Sequence, residues 1–405
     1  MSSVDTAPSE SRSRIELACP SCGAAEPVLF HEQRGVPIHS CRLVPTREEA
    51  LSFPRGDLRL AFCSACGFIA NTAFDGSVQD YGVAYEETQG FSPRFREFAH
   101  DLAARWIDRY DLRGKEIVEI GSGKGEFLVT MCELGGNTGT GIDPAFVEER
   151  LESDAADRIR FVKGLYDGSW GSLDADAVVC RHTIEHIAPV GEFLADIRRG
   201  IGERRDTVVL FDLPDVVRVL REAAFWDVYY EHCSYLSPGS LARLFRRSGF
   251  EILALERDYD DQYLVIEAQP TDGSGVAVHP LEESVESLAE DVERFAGVLA
   301  ATTGRWRREL GALRADGRRA VVWGAGSKAV AFLTTLGIED EVEAAVDINP
   351  FKQDMFVAGT GHEVVAPERL VELQPDLVVA MNAIYVDEIR DRLHALGLPA
   401  TVVAA

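Results

Sequence analysis

The chain has 405 residues, of which 46% are hydrophobic, and a formal net charge of −26 at pH 7. This length exceeds one ordinary hydrophobic core, so two or three domains are expected. The acidic balance excludes a nucleic acid polymer as partner, because phosphate binding needs clustered cations, and the apolar runs are shorter than the roughly 20 residues that a membrane span requires.

The N-terminal segment and the pattern of cysteines together predict a cytoplasmic location. Residues 1–14 are small and polar, which predicts a disordered tail and not a secretory signal. Four of the eight cysteines fall in two Cys-x-x-Cys pairs. In the absence of an export signal, this usage predicts metal binding in a reducing cytoplasm rather than disulfides.

Residues 15–80 are expected to form a zinc-binding module. A glycine follows each Cys-x-x-Cys pair and lets the backbone turn around the sulfurs. Four thiolates form the usual closed tetrahedral zinc site, so the role of the metal would be structural. Between the pairs, His39 and Cys41 are an alternative ligand pair. The predicted ligands are Cys19, Cys22, Cys63 and Cys66.

Residues 81–275 are expected to form an α/β domain with a doubly wound sheet. A helix is predicted after Ser92 as N-cap, and the strand–turn–helix segment "VEIGSGKGEF" follows it. Its glycines let a ligand approach the backbone at a helix N-terminus. Asp143 lies 22 residues after Gly121, where a carboxylate typically accepts both ribose hydroxyls of a nucleoside.

The loop and acid are compatible with NAD or S-adenosylmethionine, and three features favour the latter. The glycine spacing is G-x-G-x-G, Glu119 precedes the first glycine by two residues, and a closing β-hairpin is predicted in "FEILALERDYDDQYLVIEAQP". The segment "HTIEH" matches an inverted zinc-protease motif, but it follows a buried strand at the mouth of the sheet, where ligands bind. The predicted cofactor-binding residues are Glu119, Gly121, Gly123, Gly125, Asp143 and His182.

Residues 276–316 are predicted to form a connecting helix, and residues 317–405 a Rossmann-like domain. The helix carries an apolar stripe at helical spacing from Val285 to Leu313. The second domain contains a G-x-G-x-x-A loop, with Asp347 lying 21 residues after Gly326. Taken alone, this loop is a dinucleotide fingerprint. The residues expected to bind a phosphate-bearing ligand are Gly324, Gly326 and Lys328.

The order of these domains resembles that of the sugar C-methyltransferases of deoxysugar and antibiotic biosynthesis, such as the C-3-methyltransferases of nucleotide-linked deoxysugars. The resemblance extends from about residue 17 to the C-terminus. It implies a structural zinc, S-adenosylmethionine in the middle domain, and a nucleoside-diphosphate 4-keto sugar held partly by the C-terminal domain. His182 stands where the family has an amide.

The resemblance also assigns roles to the segment "YYEHCSYLS", which matches the catalytic Tyr-x-Glu-His of the family. His232 is expected to act as base at the carbon next to the keto group, and Glu231 to orient its imidazole. Tyr229 or His186 is expected to donate to the enolate oxygen, and Tyr85 to contribute from before the core.

Three other functions are compatible with the sequence. An O- or N-methyltransferase of a natural-product intermediate needs no carbon acid. An NAD-dependent oxidoreductase would use the C-terminal fingerprint. A zinc-ribbon scaffold would only bind partners, although the intact glycine loop argues against it.

Overall fold

The structure is a computed structural model that describes residues 17–151, 153–273 and 277–405. Within these ranges the chain forms sheets of four, seven and five strands. The predicted tail, residues 1–14, lies outside the described residues. In the described part of the chain, no helix combines the length and apolarity needed to cross a bilayer.

The N-terminal module is built on an antiparallel sheet. It contains β1 (Val28–Pro37), helix α1 (Arg47–Leu51), β2 (Arg55–Phe62) and β3 (Ile69–Asn71). β2 pairs with both β1 and β3. The fourth strand of this sheet comes from the following domain, so the module is not an independent unit.

The middle domain has the predicted doubly wound sheet, in the order β10-β11-β8-β7-β4-β5-β6. Strands β4 to β8 are parallel, and the predicted closing hairpin is confirmed by the antiparallel strands β10 and β11. Its elements are α2 (Pro93–Tyr110), β4 (Glu116–Ile120), α3 (Glu126–Gly135), β5 (Thr138–Ile142), β6 (Ile159–Val162), β7 (Ala177–Arg181), α4 (Val190–Ile201), β8 (Val208–Pro214), α5 (Val216–Glu222), β9 (Ser234–Tyr235), α6 (Pro238–Arg247), β10 (Phe250–Asp258) and β11 (Tyr263–Pro270).

The short strand β9 links the middle domain to the module. It lies outside the seven-stranded sheet and pairs antiparallel with β3. The amide of Asn71 also donates to the carbonyl of Cys233 at 2.9 Å. The segment that contains Glu231 and His232 is therefore fixed to the module as well as to the middle domain.

Helix α7 (Val285–Ala315) is the predicted connecting helix, and Ser284 caps its N-terminus. The predicted stripe is confirmed, because Leu288, Phe295 and Trp306 are all buried. Phe295 packs edge-on against Phe30 of β1, and Trp306 contacts the C-terminal domain. The helix thus joins the hydrophobic cores of the module and the C-terminal domain.

The C-terminal domain has a five-stranded parallel sheet in the order β14-β13-β12-β15-β16. Parallel strands need crossover connections, which here include helices. This arrangement agrees with the predicted Rossmann-like fold. Its elements are β12 (Ala320–Trp323), α8 (Ser327–Leu336), β13 (Ala345–Val346), β14 (Val364–Val365), α9 (Leu370–Leu373), β15 (Leu377–Ala380), α10 (Val386–Ala395) and β16 (Thr401–Ala404).

We expect Leu310→Ala to destabilise the protein, because Leu310 is fully buried on α7 within the shared core. The lost contacts and the cavity should lower the free energy of unfolding by about 2–5 kcal/mol. Urea unfolding followed by tryptophan fluorescence measures the change. The exposed neighbour Glu309 provides the control, since Glu309→Ala should change stability by less than about 0.5 kcal/mol. Equal effects of the two substitutions would contradict a core role for α7.

Candidate functional site

A cavity of about 1830 Å³ lies between the middle and C-terminal domains. It opens at the carboxyl ends of β4, β5 and β7, where doubly wound sheets bind ligands. Glu231, Gly125 and the four paired cysteines are not among the residues that line it. The other predicted site residues do line it: Tyr85, Glu119, Gly121, Gly123, Asp143, His182, His186, Tyr229, His232, Gly324, Gly326 and Lys328.

The first glycine loop joins β4 to α3, and all three of its glycines have positive φ. The φ of Gly121 is 75°, and a Cβ there would lie 1.9 Å from Thr183 Oγ1, so only glycine fits. The amide of Gly123 donates to Asp143 Oδ2 at 2.8 Å, and Ala145 N donates to Oδ1 at 2.6 Å. The Asp143 carboxylate is therefore fixed beside the loop.

Glu119 is a buried carboxylic acid at the base of this loop, with 2% of the residue exposed. Its Oε2 has no hydrogen-bond partner among the described residues, and neither has the hydroxyl of Ser122. Burial raises the pKa of Glu119 to about 8, although Arg181 opposes the rise. Two covered polar groups thus face the cavity beside the glycine loop, and they suit a polar cofactor.

His182 follows β7 with a left-handed backbone, at φ 47°. Such a conformation is uncommon for a residue that is not glycine and tends to occur at functional sites. Its ring contacts the ring of Tyr263, with centroids 4.4 Å apart. Nδ1 lies 3.7 Å from Glu185 Oε1, and Nε2 lies 3.6 Å from Asp212 Oδ2. His182 is thus held between two carboxylates at the mouth of the sheet.

The predicted catalytic residues Tyr229, His186 and His232 come together at one side of the cavity. The hydroxyl of Tyr229 lies 2.8 Å from His232 Nε2, and the His186 and His232 ring centroids are 4.9 Å apart. Burial is the main cause of a pKa for His232 well below its ordinary value, and the neighbouring His186, His182 and Lys328 lower it further. His232 is therefore neutral near pH 7 and able to accept a proton.

Two tyrosines from the loop before α2 complete this side of the cavity. The hydroxyl of Tyr81 lies 3.3 Å from His186 Nδ1, and the Tyr81 and Tyr85 rings are 5.3 Å apart. Burial raises the pKa of each phenol above the ordinary value for tyrosine. Tyr85 was predicted from the sequence, but Tyr81 was not. The position of Tyr81, four residues before Tyr85, was the signal that could have identified it.

The predicted contact between Glu231 and His232 is wrong. The Glu231 carboxylate is fully buried and faces the module instead. It accepts a 2.8 Å hydrogen bond from His39 Nδ1 and is also bonded by the amide and hydroxyl of Ser40. Because His39 Nε2 accepts from the amide of Asp80 at 2.9 Å, Nδ1 must carry the proton. The Glu231 carboxylate therefore has its hydrogen-bond partners in the N-terminal module and does not face the cavity.

Glu185 is the carboxylate that shares the cavity with the two histidines, and sequence reasoning missed it. Its residue is 3% exposed, and Oε2 has no hydrogen-bond partner within the described ranges. One ligand atom each from Glu185, His186 and His232 lie within 4.8 Å of one another. The "HTIEH" motif contained the signal, because the 3₁₀ turn Ile184–His186 places Glu185 and His186 at the cavity.

The second glycine loop resembles the first in its hydrogen bonding. Ala325 N donates to Asp347 Oδ2 at 2.8 Å, and Gly324 has a φ of 105°. The predicted phosphate-binding role of Lys328 does not fit its contacts, because its ammonium is hydrogen-bonded to Asp227. Lys352, which the sequence did not single out, has Nζ 3.6 Å from a Cβ built on Gly326.

The four paired cysteines converge on one point in the module. The Sγ atoms of Cys19 and Cys66 are 3.7 Å apart, and those of Cys22 and Cys63 are 3.6 Å apart. These separations match the edge of a tetrahedron around a zinc ion, since thiolates about 2.3 Å from the metal are roughly 3.8 Å from each other. The cluster could therefore hold a metal ion.

The alternative ligands His39 and Cys41 do not take part in the cysteine cluster. His39 binds Glu231, and the thiol of Cys41 lies 3.1 Å from the Ser327 hydroxyl. Cys41 lines the cavity between the domains, whereas His39 is not among the residues that line it.

Comparison with known proteins identifies both α/β domains. Residues 95–255 match the methyltransferase domain family, and residues 278–398 match the C-methyltransferase C-terminal domain family. The chain is 26% identical over 311 residues to the C-methyltransferase NovU of Streptomyces niveus, covering 72% of this chain and 71% of NovU. The resemblance to the sugar C-methyltransferase family is thereby confirmed.

Solved methyltransferase structures match a smaller part of the chain. RosA from Streptomyces davawensis, an N,N-8-amino-8-demethyl-D-riboflavin dimethyltransferase, is 20% identical with a TM-score of 0.36; the match covers 44% of this chain and 56% of RosA. The 1,6-didemethyltoxoflavin-N1-methyltransferase of Burkholderia thailandensis is also 20% identical, with a TM-score of 0.34; it covers 45% of this chain and 83% of that enzyme.

Glu119 should make stability depend on pH. Its folded pKa, about 8, exceeds its ordinary value of 4.5, so its contribution is fully present below about pH 4.5 and is lost as pH rises through 8. Glu119→Gln removes this dependence. The melting temperature of the variant, relative to the original protein, should therefore rise between pH 5 and pH 8.5. The exposed Glu133 provides the control Glu133→Gln, and a pH-independent difference for Glu119→Gln would contradict the assignment.

Proposed function

The chain is an S-adenosylmethionine-dependent C-methyltransferase, and from that premise we propose that it methylates the carbon next to the keto group of a nucleotide-linked deoxysugar. A histidine base, His232, forms the enolate that accepts the methyl group. The observation that carries this proposal is the neutral, buried His232 in contact with Tyr229 and His186, on a cavity shared by two nucleotide-type loops.

The residues of the first loop suit the cofactor. Positive φ angles at Gly121 and Gly123 bring the backbone to the cavity, and Asp143 is fixed where it can accept hydrogen bonds from the ribose hydroxyls. Glu119 and His182 border the same region. When bound, S-adenosylmethionine supplies an electrophilic methyl group, so the protein has to supply the carbon nucleophile.

We assign one tautomer of the base to the contact between Tyr229 and His232. If Nε2 donates its proton to the tyrosine oxygen, Nδ1 keeps a lone pair for the substrate proton. The Tyr229 hydroxyl, which also interacts with the side chain of Ser327, then donates to the developing enolate oxygen. Such donors are usually the main source of stabilisation for an oxyanion. The low pKa of His232 keeps the imidazole neutral before the reaction.

The proton and electron transfers balance around this base. His232 takes the proton of the carbon acid, and the electrons of that C–H bond form the enolate. S-Adenosylmethionine held at the first glycine loop would supply the methyl group to the enolate carbon, and the electrons of its C–S bond would stay on sulfur. The resulting imidazolium lies near the Glu185 carboxylate, which offsets a buried positive charge. His186 and Tyr81, linked at 3.3 Å, border the same space.

The second loop supports a nucleotide-linked acceptor. Gly324 and Gly326 precede the N-terminus of α8, and helix N-termini favour phosphate groups. Lys328 is hydrogen-bonded to Asp227. Among the described residues, the buried Lys352 beside Gly326 has only a longer ion pair, with Nζ 3.6 Å from Asp347 Oδ2, so it is the better candidate for a cation that faces the diphosphate.

The cysteine cluster supports a structural zinc ion. The four sulfurs surround one common point. The Cys66 carbonyl also accepts a 2.9 Å hydrogen bond from Arg243 of α6, in the middle domain. A metal there would stabilise the module against the middle domain, and it would leave no coordination position for substrate.

Deuterium exchange tests the proposed base. With S-adenosylhomocysteine bound, the protein in D₂O should exchange the proton next to the keto group of a thymidine diphosphate 4-keto-6-deoxyhexose. His232→Gln should slow this exchange by about 10²–10⁴-fold, the usual contribution of a general base, with unchanged S-adenosylhomocysteine affinity. Nuclear magnetic resonance measures the exchange.

His394→Gln supplies a matched control, because His394 is exposed on α10 and does not line the cavity. Undiminished exchange in His232→Gln would overturn the base assignment. An absence of exchange with any keto sugar nucleotide, together with methylation of a hydroxyl or amine, would favour an O- or N-methyltransferase.

Metal analysis tests the zinc ion. We expect about one zinc per chain, and removal with a strong chelator should lower the melting temperature until zinc is restored, since metal binding contributes to folding free energy. Cys66→Ser should lose the metal. Cys132→Ala should retain it, because Cys132 lies on α3 outside the cluster. A second equivalent of metal that disappears in Glu185→Gln would instead indicate a metal at the histidine pair.

A further inference from the structure

Glu87 is a charged residue of the cavity to which the steps above assign no role. It lies in the loop before α2 and lines the cavity opposite the first glycine loop. A Cβ built on Gly123 would be 2.7 Å from Glu87 Oε1, so this oxygen rests against the loop. The carboxylate is thus part of the wall that surrounds the cofactor.

The Glu87 side chain is 30% exposed, but its other oxygen, Oε2, is covered and has one long ion pair and no hydrogen bond among the described residues. Lys124 Nζ is 3.7 Å away, which is too far for a hydrogen bond. The Lys124 ammonium already donates to the carbonyls of Tyr85 at 2.9 Å and Ala145 at 2.8 Å. A buried carboxylate oxygen without a donor is costly.

The electrostatic environment favours a further positive charge beside Glu87, in addition to the Lys124 ammonium. Burial raises the pKa of Glu87 to about 7, against the lowering effect of Lys124, and Asp143 and Glu86 add to the rise. A ligand that brings a positive charge and N–H donors to Oε2 would reverse this penalty. Asp143, which accepts a hydrogen bond from the Gly123 amide, is already the expected partner of the ribose hydroxyls.

We propose that Glu87 binds the α-ammonium group of the methionine moiety of S-adenosylmethionine. The cofactor has two cationic centres, and the sulfonium has no N–H to donate. The ammonium has three donors on a compact charge, which is what Oε2 lacks. The inference rests on the proposed cofactor site at the first glycine loop, and it adds a contact that selects the amino-acid end of the cofactor.

Isothermal titration with cofactor analogues tests this contact without any methyl acceptor. S-Adenosylhomocysteine keeps the ammonium and lacks the sulfonium. 5′-Methylthioadenosine lacks the whole amino-acid moiety, and 5′-S-(3-carboxypropyl)-5′-thioadenosine lacks only the amino group. Glu87→Gln should weaken S-adenosylhomocysteine binding by about 10- to 100-fold, the range for a lost charge-assisted hydrogen bond. It should change the affinities of the other two analogues by less than about threefold.

The outcomes separate this proposal from its alternatives. Equal weakening for all three analogues would mean that Glu87 acts at the ribose, and unchanged or tighter S-adenosylhomocysteine binding would also overturn the proposal. Glu133→Gln controls for loss of charge at the cavity, because Glu133 lines it but is exposed. Melting temperatures establish that both variants are folded. Failure of the deuterium exchange experiment would leave this result unaffected, since no acceptor is present.

Discussion

The buried carboxylate of Glu231 is the interaction on which the arrangement of the site depends. A charge without solvent contact needs hydrogen-bond donors, and its loss of hydration is otherwise costly. Its donors, His39 and Ser40, belong to the N-terminal module. The module must therefore be in place for the neighbouring His232 to face the cavity. Pairing of β9 with β3 fixes the same segment through backbone hydrogen bonds.

The glycine loops of the two α/β domains share one hydrogen-bonding arrangement. In each, an aspartate at the end of the neighbouring strand accepts a 2.8 Å hydrogen bond from an amide of the loop: Asp143 from Gly123, and Asp347 from Ala325. Both loops open into one cavity, with the histidine pair between them. This geometry gives the methyl donor and the proposed nucleotide-linked acceptor one shared cavity.

The fold was largely predictable because its signals are local. The apolar stripe of α7, the closing hairpin and the turns at the cysteine pairs each depend on residues close together in sequence, and each agrees with the structure. The site was predictable in its residues but less so in its contacts. Lys328 was expected to face phosphate, yet it binds Asp227, which lies 101 residues earlier in the chain. Local pattern carries no information about such a partner.

The sequence by itself determined the two glycine loops, their acids, the paired cysteines and the Tyr-x-Glu-His segment. Only the tertiary structure decided which carboxylates face the cavity. Glu231 turns to His39, 192 residues away, whereas Glu185 and Glu87 keep an oxygen without a hydrogen-bond partner among the described residues. The physical reason is that backbone conformation follows neighbouring residues, while the orientation of a buried charge follows the donors that the complete fold supplies.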